Sequence, residues 1–189
     1  NHPRLLHQLK SIRDRAGKIV VINPAREPGL VKFAVPKSPA SLIAGGTEIA
    51  SEYLQPHIGT DYLLLQGIAK AVIAQGRSDT QFISKHTDGF DNYTSQLASL
   101  SWEDVLTCGI SRETIEHIAK IYGESSNTIF AWGMGITHHV HGVENVEQIA
   151  NLALLRGMVG KRSAGILPLR GHSNVQGIGT IGVKPVLAD

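Results

Sequence analysis

The spacing of apolar residues switches between helical and strand patterns several times along this chain. That alternation limits the fold more than any other feature. Leu5, Leu6, Leu9 and Ile12 recur at helical spacing behind Pro3, which suits a first helical turn because its missing N–H has no partner there anyway. Gly17 ends that helix, and Lys18 to Ile22 is a short β-branched run that reads as a buried strand. A second strand is expected near Glu52 to His57. Thr60 or Asp61 then caps a helix running to about Gln75, with Leu64, Leu65, Ile68, Val72 and Ile73 turned inward. Ser111 caps another, with Ile115, Ile118, Ala119 and Tyr122 on its buried face. Thr128 to Trp132 is the clearest parallel-type strand, and Asn145 to Leu155 is the next helix.

Alternation of this kind predicts an α/β fold with three layers and a mostly parallel sheet. Residues 23–47 are expected to be irregular, because Pro24, Pro28, Pro36 and Pro39 interrupt them. The strand that should precede the first helix is missing, so the domain reads as truncated on its N-terminal side. After Gly157 the chain turns glycine-rich and loses periodicity. The expected organisation is a Rossmann-like domain over residues 1–160 and an extended, cofactor-covering or inter-domain segment over 161–189.

Composition narrows the function. Among the 189 residues the net charge is +2 and aromatics make up 5%. Neither a basic stripe nor an aromatic stacking surface for nucleic acid is visible. No apolar run approaches the roughly 20 residues that a membrane span needs. The single cysteine, Cys108, excludes a disulfide framework and a cysteine-ligated cluster within these residues, and it reads as a buried structural thiol. His138, His139 and His141 cluster, but no Glu stands at zincin spacing, so no metal ligands are assigned. Neither a G-x-S-x-G elbow nor a G-x-G-x-x-G fingerprint is present.

In open α/β sheets, ligands bind beyond the carboxyl ends of the strands. Three segments fall there: Ile22-Asn23-Pro24-Ala25-Arg26, His57-Ile58-Gly59-Thr60-Asp61, and Trp132-Gly133-Met134-Gly135-Ile136-Thr137-His138. Glycines at such ends let backbone N–H groups approach a phosphate, and an Asp at a helix start can accept two hydrogen bonds from a guanine edge or a ribose. Each has a plainer reading. Asp61 alone is a helix cap, Arg26 a surface residue, and Gly-x-Gly a tight turn.

Together these segments, with Asn1-His2-Pro3-Arg4, His86-Thr87-Asp88-Gly89-Phe90, Asn151-Leu152-Ala153-Leu154-Leu155 and Arg170-Gly171-His172-Ser173-Asn174-Val175-Gln176-Gly177, resemble molybdopterin oxidoreductases of the dimethyl sulfoxide reductase family. The resemblance is to the formate dehydrogenase-like large subunit and covers nearly the whole chain. It implies a bis-molybdopterin guanine dinucleotide cofactor with molybdenum or tungsten. By the same resemblance Asn23 and Arg26 would contact the guanosine or its phosphates, and Asp61 the guanine or ribose. Gly133, Met134 and Gly135 would offer backbone groups, with His138 beside the pyrophosphate or pterin. Ser173, Asn174 and Gln176 would hydrogen-bond pterin or phosphate. Relatives commonly carry Gln where His138 stands.

The metal ligand and any 4Fe-4S cluster of the parent protein would lie outside these residues. So would the catalytic residues, and the segment alone is expected to be inactive. The implied partners are the remaining domains of the parent chain and an electron-transfer subunit, and the family branch implies the cytoplasm. Two other readings stay open at this point: a non-catalytic nucleotide-binding module, and the same family acting on another small substrate such as nitrate. An NAD-type enzyme ranks behind them, because Gly160 to Ser163 carries no acidic residue to hold a ribose.

Overall fold

A computed structural model describes residues 5–34, 43, 45–172 and 174–183. Its elements alternate as the sequence predicts. Helix α1 (Leu5–Asp14) leads to strand β1 (Val20–Ile22), then a single helical turn α2 (Pro28–Val31), β2 (Lys32–Phe33), β3 (Thr47–Glu48) and β4 (Glu52–Leu54). Next come α3 (Asp61–Ala74), α4 (Thr80–His86), α5 (Phe90–Ser99), α6 (Trp102–Leu106) and α7 (Arg112–Glu124). Strand β5 (Ile129–Trp132), a 3-10 turn (Met134–Ile136), α8 (Gly142–Leu155), β6 (Gly165–Pro168) and α9 (Val175–Thr180) complete it.

The sheet structure is short. β1 runs parallel to β4, with Val21 opposite Tyr53, and β5 runs parallel to β6, with Phe130 opposite Ile166. A small antiparallel pair, β2 and β3, occupies the proline-rich stretch expected to be irregular. β6 is a second departure from the sequence reading, which gave residues after Gly157 no strand. Its Gly165-Ile166-Leu167-Pro168 has neither alternation nor a β-branched run, so its pairing comes from β5 rather than from propensity.

The core is helical. Leu64, Leu65, Ile68 and Val72 of α3 are buried against Ile115, Ile118, Ala119 and Tyr122 of α7 and against Ile149, Leu152 and Ala153 of α8. Gly67 allows the closest approach, since a Cβ there would stand 2.6 Å from the Val105 side chain. Val20 and Ile22 of β1, and Phe130 and Trp132 of β5, pack on the same cluster. The Ser111 hydroxyl accepts the Thr114 N–H and caps α7 as expected. Tyr122 Oη donates to Leu152 O at 2.5 Å, and Arg156 donates to the Tyr122 and Ser125 carbonyls at 2.6 and 3.1 Å. Burial raises the pKa of Tyr122 and of Tyr93, which fixes both as neutral donors. Among the described residues no helix is long and apolar enough to cross a membrane.

Leu64 is fully buried at the centre of this seam. Leu64→Ala is expected to lower the free energy of unfolding by about 2–5 kcal/mol. A urea titration showing a loss below about 1 kcal/mol would contradict that placement.

Candidate functional site

Three strand ends carry the candidate residues. At the end of β1, the Asn23 N–H donates to Leu54 O of β4, and Asn23 Oδ1 accepts the Ala25 N–H at 2.9 Å. That side-chain turn starts the loop to α2, as Asn commonly does. The loop is held from β4. Tyr53 Oη donates to Ala25 O at 2.7 Å and accepts the Glu27 N–H at 3.0 Å, and Gln55 Nε2 donates to Pro24 O at 3.0 Å. Arg26 stands exposed at the tip. Tyr53 and Gln55 were missed by sequence reasoning. Their signal is the two-residue strand period that puts both on one face, and it becomes legible only once β1 and β4 are known to pair.

At the end of β4, Gly59 takes a left-handed φ of 89° and turns the chain into α3. Thr60 Oγ1 donates to His57 O at 2.7 Å, so its hydroxyl braces the turn rather than capping the helix. The turn is anchored on the loop after α6, where His57 N donates to Cys108 O and Gly109 (φ 81°) leaves room for the imidazole. Cys108 itself is fully buried. Burial raises its pKa, with a smaller push from the nearby Asp61 charge, so it is a structural thiol.

Asp61 opens α3. Its side chain is only 17% exposed, and among the described residues its carboxylate accepts no hydrogen bond. The α3 N-terminus favours a negative charge there. His139, from the loop after β5, comes within 4.0 Å, with Nε2 facing Asp61 Oδ2. The same Nε2 lies 2.7 Å from Asn145 Nδ2. Nδ2 also donates to Ile136 O at 2.8 Å, which fixes the amide orientation. Asn145 and Asp61 thus face the same imidazole nitrogen. Among the described residues His139 Nδ1 and Asn145 Oδ1 are buried with no partner.

At the end of β5, the 3-10 turn brings the Thr137 and His138 N–H groups back to Met134 O, and His138 points outward. Gly135 faces open space, with nothing within 4 Å of where a Cβ would be. The segment after β6 closes on this turn. Leu169 N donates to Trp132 O, and a Cβ on Gly171 would collide with Met134 Sδ. Asn174 takes a left-handed φ of 56° ahead of α9, and Gln176 Oε1 accepts from Arg170 at 3.4 Å.

The fold thus joins Asp61 to the β5 loop, and that loop to Leu169 and Gly171 after β6. Asn23 and Arg26 stand beside the β4 end, held by Tyr53 and Gln55. Ser173 lies outside the described residues. Among the described residues no group of three His, Cys, Asp or Glu side chains is placed to hold a metal ion. His141 instead packs on Tyr62, ring centroids 4.4 Å apart.

Glycine-containing strand ends thus stand around the Asp61 carboxylate in an α/β fold. Comparison with known proteins makes the class specific. The molybdopterin oxidoreductase family model matches residues 1–185, and the chain belongs to that family. It is 41% identical over 195 residues to Protein YdeP of Escherichia coli strain K12, covering 97% of this chain and 26% of that protein. It is 32% identical over 191 residues to the F420-dependent formate dehydrogenase subunit alpha of Methanocaldococcus jannaschii, covering 97% and 25%. The chain therefore spans about a quarter of the length of these relatives. The fold is similar to part of the acetylene hydratase of Pelobacter acetylenicus. There the TM-score is 0.66 at 16% identity, with 83% of this chain and 19% of that one covered.

Tyr53→Phe removes both bonds that close the loop at Ala25–Glu27. It is expected to cost about 1 kcal/mol and to speed amide exchange of Glu27 in hydrogen–deuterium measurements. Unchanged exchange there would mean that Tyr53 does not hold the loop.

Proposed function

We propose that this chain seats the guanosine end of a molybdopterin guanine dinucleotide within a larger formate dehydrogenase-like oxidoreductase. Family membership implies a molybdopterin cofactor. The observation that carries the guanine reading is Asp61, mostly buried and accepting no hydrogen bond among the described residues. Guanine presents two adjacent donors, its ring N1–H and its exocyclic amino group, and a carboxylate accepts such a pair in parallel. Adenine has no equivalent pair: its N6 amino donor stands beside the N1 acceptor, which would face one Asp61 oxygen.

The surrounding residues fit the rest of the ligand. Arg26 is exposed at a strand end where a phosphate would lie, and Asn23 shapes the turn that presents it. The open space at Gly135 lets backbone at Gly133, Met134 and Gly135 come close to the pyrophosphate or pterin. His138 points outward beside them. Asn174 and Gln176 would donate from the segment that closes on Met134, with Ser173 between Asn174 and His172 in the chain. When bound, the cofactor supplies two-electron redox chemistry at molybdenum or tungsten, on ligands that lie outside these residues. What this chain contributes is binding, orientation and electrostatics.

Formate as the substrate is supported by the relative from Methanocaldococcus jannaschii, named as a formate dehydrogenase subunit. The remaining domains of the parent chain and an electron-transfer subunit are the partners this reading gives, in the cytoplasm.

The test is analytical. The full-length protein, purified from cells that make the cofactor, is expected to contain molybdenum or tungsten and to release guanine nucleotide on acid extraction. Asp61→Ala is expected to lower guanine content by about tenfold or more, since hydrogen bonds to a charged group are worth about 1.5–3 kcal/mol each. Metal without guanine in the wild type would sink the guanine reading, and neither would sink the cofactor reading.

A further inference from the structure

We propose that Asn145 is a positioning residue that sets base specificity. It holds His139 in the neutral Nδ1–H form, keeps an internal cation off Asp61, and so reserves that carboxylate for the base of a guanine nucleotide. The inference rests on the guanine reading above.

The geometry is a chain of three side chains from three places in the fold. Asn145 lies in the second turn of α8 and is fully buried. Its Nδ2 has two hydrogens, and both are committed: one to Ile136 O at 2.8 Å, one to His139 Nε2 at 2.7 Å. An amide nitrogen accepts nothing, so Nε2 must carry a lone pair and the ring proton must sit on Nδ1. Turning the amide over would set Oδ1 against the Ile136 carbonyl, acceptor against acceptor. The same Nε2 lies 4.0 Å from Asp61 Oδ2. With Asn145 in place that approach is lone pair to carboxylate. Without it, Nε2 is released to take a proton and pair with Asp61.

The arrangement is poor for stability alone. It leaves His139 Nδ1 and Asn145 Oδ1 buried without partners, where two apolar side chains would leave none. Polar groups kept inside at such a cost point to a role in the site. Asn145 performs two jobs with one amide: it ties the β5 loop at Ile136, next to the Met134 turn, and it disarms the histidine beside Asp61.

The experiment uses the full-length protein from cofactor-producing cells and reads guanine nucleotide released per polypeptide. Asn145→Leu is expected to hold about tenfold less guanine than the wild type, and the double variant Asn145→Leu with His139→Phe to recover to within about threefold. A purely structural role for Asn145 would not be rescued by removing the imidazole. A second pair of single variants avoids the buried position. His139→Lys, a permanent cation beside Asp61, is expected to lose guanine, whereas His139→Phe keeps it. Full guanine content in Asn145→Leu, no rescue in the folded double variant, or equal content in the two His139 variants would overturn the inference. A wild type with no guanine would overturn the site reading and this inference together.

Discussion

The site depends on the apolar seam between α3, α7 and α8. Leu64, Ile68 and Val72 lock α3 against the other two helices. Of the three, α3 follows the end of β4 and α8 the end of β5, so fixing these helices fixes where those two loops meet. Asp61 is the first residue of α3, and His139 lies three residues before α8 begins, so the 4.0 Å approach of their side chains follows from core packing. Burying such side chains is worth roughly 1.5–3 kcal/mol each, far more than any one contact at the rim. The core therefore dictates the site geometry, and the polar residues there adapt to it.

What those polar residues produce is an imbalance. Asp61 is mostly buried yet has no donor within the described chain, and the nearest candidate, His139, is committed to Asn145. Folding alone gains nothing from a buried carboxylate in that state, because its desolvation is offset only by the α3 N-terminus. In the proposed reading, a ligand with paired N–H donors supplies those partners.

Much of the fold was legible because it is written in local periodicity. The buried faces of α3 and α7 match the helical spacing of Leu64, Leu65, Ile68 and Val72, and of Ile115, Ile118, Ala119 and Tyr122. The Ser111 cap and the burial of Cys108 were equally readable. β6 was not, because Gly165–Pro168 has no strand pattern of its own and is a strand only through β5. The candidate site divides along the same line. Its strand-end residues could be placed from glycines and turns. The supports at Tyr53, Gln55, His139 and Asn145 could not, because their bonds cross up to 31 residues of chain or depend on how one amide is oriented. Thr60 shows the limit at single-residue scale: its position at the helix start was right, but its hydroxyl serves His57 O instead of the helix.

The measurement that bears most directly on this account is a calorimetric comparison of GDP and ADP binding to the full-length protein freed of cofactor. The account requires GDP to bind and ADP to bind at least about tenfold more weakly, because only guanine offers the donor pair that Asp61 lacks. Equal affinity for the two nucleotides, or binding of neither by a folded protein, would contradict it.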